Sequence, residues 1–246
     1  MSKNKTQALV ICGHGSSLNL YKKDFEITKK KIEREIQIDC FDCFIEKDRP
    51  SIKDCLEQVK NNGYDKIYFF PFVLFKGKHY KEDIEEKINF FSSNRQKIIL
   101  VNQLSLQTDI LPIIKKKIDL LKKKNHLNIF ITFSSRSESP NLISELNRYT
   151  KNLGDFLKIR HIYPNFVGSE KYLLKQIEKF KEKKIFLIIH PVFLFKGYLF
   201  KKVVDSFNNL DPKTYHITTS LMNIKEVQNL VINKLKIFIS RNNKFS

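Results

Sequence analysis

Three side chains in the first half of the chain offer chemistry: His14, Glu46 and His79. Two imidazoles and a carboxylate suit a first-row divalent ion such as Fe²⁺, Co²⁺, Ni²⁺ or Zn²⁺. Three protein ligands leave coordination positions open for water or substrate, as in a working site rather than a structural one. The same groups can also serve as general bases near neutral pH. A single histidine at a strand end is usually structural, so the question is whether the chain brings all three together.

The elements needed for that are legible. Apolar runs at 8–12, 38–45, 66–73 and 98–102 alternate with amphipathic stretches at 18–35, 50–61, 80–91 and 107–123. The same alternation follows, with runs at 128–133, 156–162, 184–191 and 214–218 and amphipathic stretches at 139–151, 169–181, 198–208 and 224–238. Strands that are apolar throughout and separated by helices indicate a parallel sheet covered on both faces. The order βαβαβαβα, given twice, predicts an α/β protein of two similar doubly wound lobes, 1–123 and 124–246. Ligands of such sheets bind beyond the carboxyl ends of the strands. His14 follows the first strand, Glu46 the second, and His79 the third. The order alone therefore delivers all three to one sheet edge.

The local glycines fit a site. Gly13 and Gly15 flank His14 in C-G-H-G-S-S and allow a tight turn with close backbone approach. The run is not a dinucleotide fingerprint, because Leu18 stands where a third glycine would be. Ser16 and Ser17 suit the start of the next helix, as caps or as anion ligands. Pro50-Ser51 opens a helix with proline in its first turn, and Gly63 closes it. Asp83 suits the start of the helix after His79.

The chain repeats itself unequally. Residues 71–77 read PFVLFKG and residues 191–197 read PVFLFKG. At that offset His14 falls on Ser134, Glu46 on Phe166 and His79 on Leu199. The first half thus holds the one working ligand set. His190 is the residual candidate of the second half, and its repeat partner Phe70 marks it as a packed histidine.

Composition sets bounds. No run approaches the apolar length of a membrane span, and MSKNKTQ lacks a signal peptide's apolar core, so a cytoplasmic protein is expected. The net charge of +19 comes almost wholly from Lys spread along helices, a compositional bias. With no reading motif for nucleic acid it implies no nucleic-acid partner, although its field favours anionic small molecules. Cys40 and Cys43 form a C-x2-C inside a predicted strand, which points them to opposite faces. With Cys12 and Cys55 they are expected to be reduced, buried thiols.

Three motifs carry a family resemblance: G-H-G-S at 13–16, F-I-E with P-S-I at 44–46 and 50–52, and P-F-V-L-F-x-G-x-H-x-x-x-D-I at 71–84. In this order and spacing they resemble the sirohydrochlorin chelatases of the CbiX/SirB type, the class II metal chelatases, in their long two-lobed form. The resemblance implies a cleft between the lobes as active site and ATP-independent, lyase-type insertion of Fe²⁺ or Co²⁺ into sirohydrochlorin, toward siroheme or cobalamin. It implies His14 and His79 as metal-binding and proton-accepting residues, with Glu46 as their acidic partner. The metal is then a substrate and no cofactor is resident. Ser16, Ser17, Phe75, Lys76 and Lys78 become candidates for contacting the anionic tetrapyrrole, with Phe72, Lys81 and Arg136 behind them. Many relatives carry Arg after G-H-G-S, where this chain has Ser17. A monomer or a homodimer fits equally. The alternative is a tetrapyrrole or metal carrier that has kept the fold.

Overall fold

In the computed structural model, residues 7–75, 80–92, 97–137, 139–180 and 182–243 are described. They form two compact units: one gathers the residues up to Leu104 with those from Gln228 onward, and the other spans Ser105–Val227. Each is built on a four-stranded, wholly parallel sheet.

In the first unit β1 (Gln7–Gly13), β2 (Asp39–Phe44), β3 (Lys66–Pro71) and β4 (Lys97–Leu100) lie in the order β2-β1-β3-β4. Alternate residues of each strand serve two cores. Ala8, Val10, Cys12, Ile67 and Phe69 pack with Ile52, Cys55, Leu56 and Val59 of α2 (Ile52–Asn61). Ile88 of α3 (Glu86–Phe91), and Ile84 in the π-helical turn before it, complete that layer. The opposite face takes α1 (Asn19–Ile36), whose Phe25 meets Phe72, which in turn lies against Phe70. Crossovers to opposite faces follow from their right-handedness once β1 lies between β2 and β3. Ser51 begins α2 through a reciprocal capping box with Asp54, so Pro50 sits just outside the helix rather than in its first turn.

The second unit repeats the plan with β5 (Leu127–Ser134), β6 (His161–Phe166), β7 (Ile185–Pro191) and β8 (Tyr215–Ile217), in the order β6-β5-β7-β8. Ile129, Ile131, Phe133, Leu187 and Ile189 pack with Leu173 and Ile177 of α6 (Glu170–Glu178) and Val203 and Phe207 of α7 (Tyr198–Phe207). On the other face lies α5 (Pro140–Leu157), whose Thr150 hydroxyl bonds that of Thr132.

Two expectations are corrected here. The second strand of this unit is not 156–162 but His161–Phe166, because α5 continues to Leu157 through Gly154. A side chain at Gly154 would lie 2.4 Å from the Ile162 methyl, so the glycine lets helix and strand touch. The strand is an edge strand, where Pro164 is tolerated and its half-buried residues give no apolar run. The units also do not divide at residues 123 and 124. The helix after β4, α4 (Leu111–Ile118), lies in the second unit, where Lys115 covers the Phe156 ring of α5. The last helix, α8 (Lys225–Asn243), serves the first unit: its Phe238 and Asn243 engage the ring and hydroxyl of Tyr68.

All four cysteines are buried and free. Cys12, Cys43 and Cys55 meet in one core, and burial with mutual hydrogen bonds pushes the Cys43 thiol well up. His190 is fully buried, with Nε2 3.0 Å from the Tyr149 hydroxyl and Nδ1 2.7 Å from Thr218 Oγ1. Burial lowers its pKa to about 3, so it is a neutral core histidine.

That depressed value has a sign. The unfolded chain binds a proton at His190 below pH 6.5 and the folded one does not, so its contribution to stability is complete above pH 6.5 and declines toward pH 3. The limiting slope is about 1.4 kcal/mol per pH unit. Urea unfolding followed by circular dichroism at pH 7.5, 6 and 5 should show a falling midpoint, and His190→Gln should flatten the dependence.

Candidate active site

The site is built where the β1–β2 ladder runs past the end of the strands. Ile45 N–H donates to Gly13 O and Glu46 N–H to His14 O, each at 3.0 Å. This places residues 14 and 46 side by side at the carboxyl edge. It is also where the strand order reverses, since β1 sends one connection to each side. Such close pairing requires the glycines. Gly15 has φ +95, and a Cβ there would stand 1.8 Å from the Glu46 carbonyl oxygen. A Cβ on Gly13 would stand 2.7 Å from both the Phe25 ring and the Tyr21 hydroxyl. His14 is thus the one residue of the G-H-G turn that can carry a side chain.

His14 Nε2 lies 3.0 Å from Glu46 Oε1. A carboxylate only accepts, so Nε2 carries the hydrogen and Nδ1 keeps its lone pair. Lys47, in the left-handed region at φ 59, sets its ammonium 3.2 Å from the same Glu46 oxygen. The loop is tied back to α1 by the Lys22–Asp48 pair at 3.0 Å. The His14 side chain is 60% exposed, yet loss of hydration holds its pKa below the usual 6.5. The nearby charges of Glu46 and Asp83 oppose that shift, and Lys47 adds to it. At neutral pH His14 is therefore an uncharged imidazole, able to take a metal ion or a proton.

The other candidates are placed as follows. Ser16 is buried, and its hydroxyl accepts from Leu18 N–H at 3.3 Å, within the turn that leads into α1. Ser17 and Arg136 are exposed and Phe75 is half-buried. Phe72 is a core residue against Phe25 and Phe70. Lys76, Lys78 and His79 lie outside the described residues, as does the Lys81 side chain. Among the described residues no third His, Cys, Asp or Glu completes a metal-holding group with His14 and Glu46. Two nearby residues were missed in the sequence. Lys47 gave one signal, a charge directly after Glu46; Tyr21 gave its position seven residues after His14.

The strand registers also correct the repeat. Phe72 N–H bonds Cys12 O, whereas Val192 N–H bonds Phe133 O. Ile45 N–H bonds Gly13 O, whereas Val167 N–H bonds Ser134 O. His14 therefore corresponds to Ser135 rather than Ser134, and Glu46 to Gly168 rather than Phe166. The pair still has no counterpart in the second unit, since Gly168 has no side chain at all. One-residue differences in the turns shift the frame, and a fixed offset cannot follow them.

The fold is that of SirB from Bacillus subtilis: the structure with Fe³⁺ superposes with a TM-score of 0.75 at 18% identity, covering 94% of each chain. Residues 8–120 of the chain match the CbiX family. The chain is 24% identical over 133 residues to the sirohydrochlorin ferrochelatase of Priestia megaterium, covering 53% of this chain and 50% of that relative. It is 26% identical over 109 residues to the sirohydrochlorin cobaltochelatase of Sulfolobus acidocaldarius, covering 44% of this chain and 87% of that one.

Gly15→Ala should force Glu46 away from His14 and weaken Co²⁺ binding, read by the visible absorption of the bound ion, by about tenfold or more. Gly63→Ala is the control: its φ is +76, but nothing lies within 4 Å of the added methyl. It should cost only about 1 kcal/mol of stability and leave Co²⁺ binding unchanged.

Proposed function

We propose that the protein is a sirohydrochlorin chelatase that inserts Fe²⁺ or Co²⁺ into the macrocycle and releases two protons, without ATP, in siroheme or cobalamin synthesis. The observation that carries this reading is the His14–Glu46 pair at the carboxyl edge of the sheet, with Nε2–H on the carboxylate and Nδ1 without a hydrogen bond among the described residues. Insertion exchanges two pyrrole protons for a divalent ion. Nδ1 can hold the incoming ion or accept a pyrrole proton, and Glu46 can accept the Nε2 proton as the imidazole becomes cationic. His79 is proposed as the second imidazole of the set. The two relatives named above are a ferrochelatase and a cobaltochelatase, which supports either ion. Nitrogen and carboxylate donors select weakly between Fe²⁺ and Co²⁺.

In this reading the metal is substrate, no cofactor is resident, and the partner is an anionic tetrapyrrole. Ser17, Lys47, Lys76 and Lys78 are proposed to meet its carboxylates. The net charge of +19 favours its approach whatever its compositional origin. Among the described residues no helix is long and apolar enough to cross a membrane.

Anaerobic mixing with sirohydrochlorin and either ion, followed by absorbance, tests the proposal. Catalysed metallation should fall at least about a hundredfold in His14→Ala and in His79→Ala, as expected for groups that move protons in the reaction. A wild-type rate equal to the spontaneous one with both ions would overturn the enzyme reading in favour of a carrier.

A further inference from the structure

The Gly13–Gly15 turn is held from beneath by a side chain on the first turn of α1. The Tyr21 hydroxyl accepts from Gly15 N–H at 3.2 Å, and the His14 peptide N–H acts on the same oxygen. It occupies the space that a Gly13 side chain would need, 2.7 Å from the ideal Cβ position. The Tyr21 ring stacks on Phe25 at 6.1 Å between centroids, and Phe25 lies against Phe44 at 5.1 Å and Phe72 at 6.2 Å. These rings join α1, the end of β2 and the residue after β3 directly under the turn.

We infer that Tyr21 is a positioning residue for the His14–Glu46 pair: its hydroxyl anchors the backbone of the G-H-G turn and thereby sets where the His14 ring stands. The inference deepens the proposed reaction and rests on it for its kinetic readouts. Burial raises the pKa of Tyr21, so the hydroxyl stays neutral. Its effect is geometric: the residue whose peptide it holds is the one that must meet both the carboxylate and the ion. Gly13 and Gly15 bring no side chains, so the other hydrogen bonds to the turn are backbone ones, beginning with Ile45 N–H on Gly13 O. On the other side, Glu46 N–H on His14 O completes the clamp. Tyr21 thus secures the amide side of the turn and the Glu46 backbone its carbonyl side.

Tyr21→Phe keeps the ring stack and removes the hydroxyl. The thermal unfolding midpoint should stay near that of the wild type, while exchange of the Gly15 amide quickens. Co²⁺ affinity and kcat should each fall about tenfold or more, since small misplacements of a reacting group cost that much, with KM for sirohydrochlorin unchanged. Faster Gly15 exchange with unaltered Co²⁺ affinity and kcat would overturn the inference, leaving the hydroxyl a purely structural bond. A rise in KM alone would also overturn it. If wild-type Co²⁺ binding proves indifferent to His14→Ala, the proposed reaction fails instead. The inference is then decided on the metal-free protein by the imidazole ¹⁵N shifts of His14 at pH 8. A single tautomer in the wild type and a mixture in Tyr21→Phe sustains it; identical spectra overturn it.

Discussion

The contact between Gly15 and the Glu46 carbonyl is the constraint on which the site depends. Two parallel strands continue their ladder beyond their regular ends, and at 1.8 Å from that oxygen no Cβ can exist. The consequence is chemical as well as steric. Backbone hydrogen bonds, rather than long side chains, set the separation of residues 14 and 46. The imidazole is oriented through one nitrogen and available through the other, as for histidines that bind metal or carry protons.

The electrostatics agree with that arrangement. A histidine facing a carboxylate would ordinarily gain affinity for a proton, but desolvation and Lys47 outweigh Glu46 here. His14 therefore remains uncharged at neutral pH, the state in which it can accept either a metal or a proton. Lys47 shares one oxygen of Glu46 with His14. The second unit keeps the same ladder extension, Val167 on Ser134, but its turn carries Ser135 and Gly168 where the pair would stand. Its buried His190 is satisfied on both nitrogens within the core.

The division into units shows a limit of repeats. Each repeat supplies four strands and its helices, yet the helix after β4 lies with the second unit and the last helix with the first. A terminal helix is placed by the apolar surface that it covers: Tyr68 offers ring and hydroxyl to α8, and α5 offers Phe156 to Lys115 of α4. Both helices have an amphipathic pattern, which specifies burial of one face without naming the sheet.

The sequence by itself determined the element order, the parallel sheets and the edge at which His14 and Glu46 meet. Those follow from the periodicity of apolar residues, which is local, and from the handedness of crossovers, which is general. It also showed the asymmetry of the halves, because a missing histidine is visible without coordinates. Only the tertiary structure decided the register, which moved the counterparts of His14 and Glu46 to Ser135 and Gly168. It also decided the true extent of β6, the company of α4 and α8, and the contacts of Lys47 and Tyr21. Register and helix placement depend on which distant surfaces fit together, and the orientation of a charge or hydroxyl depends on neighbours that are adjacent only after folding.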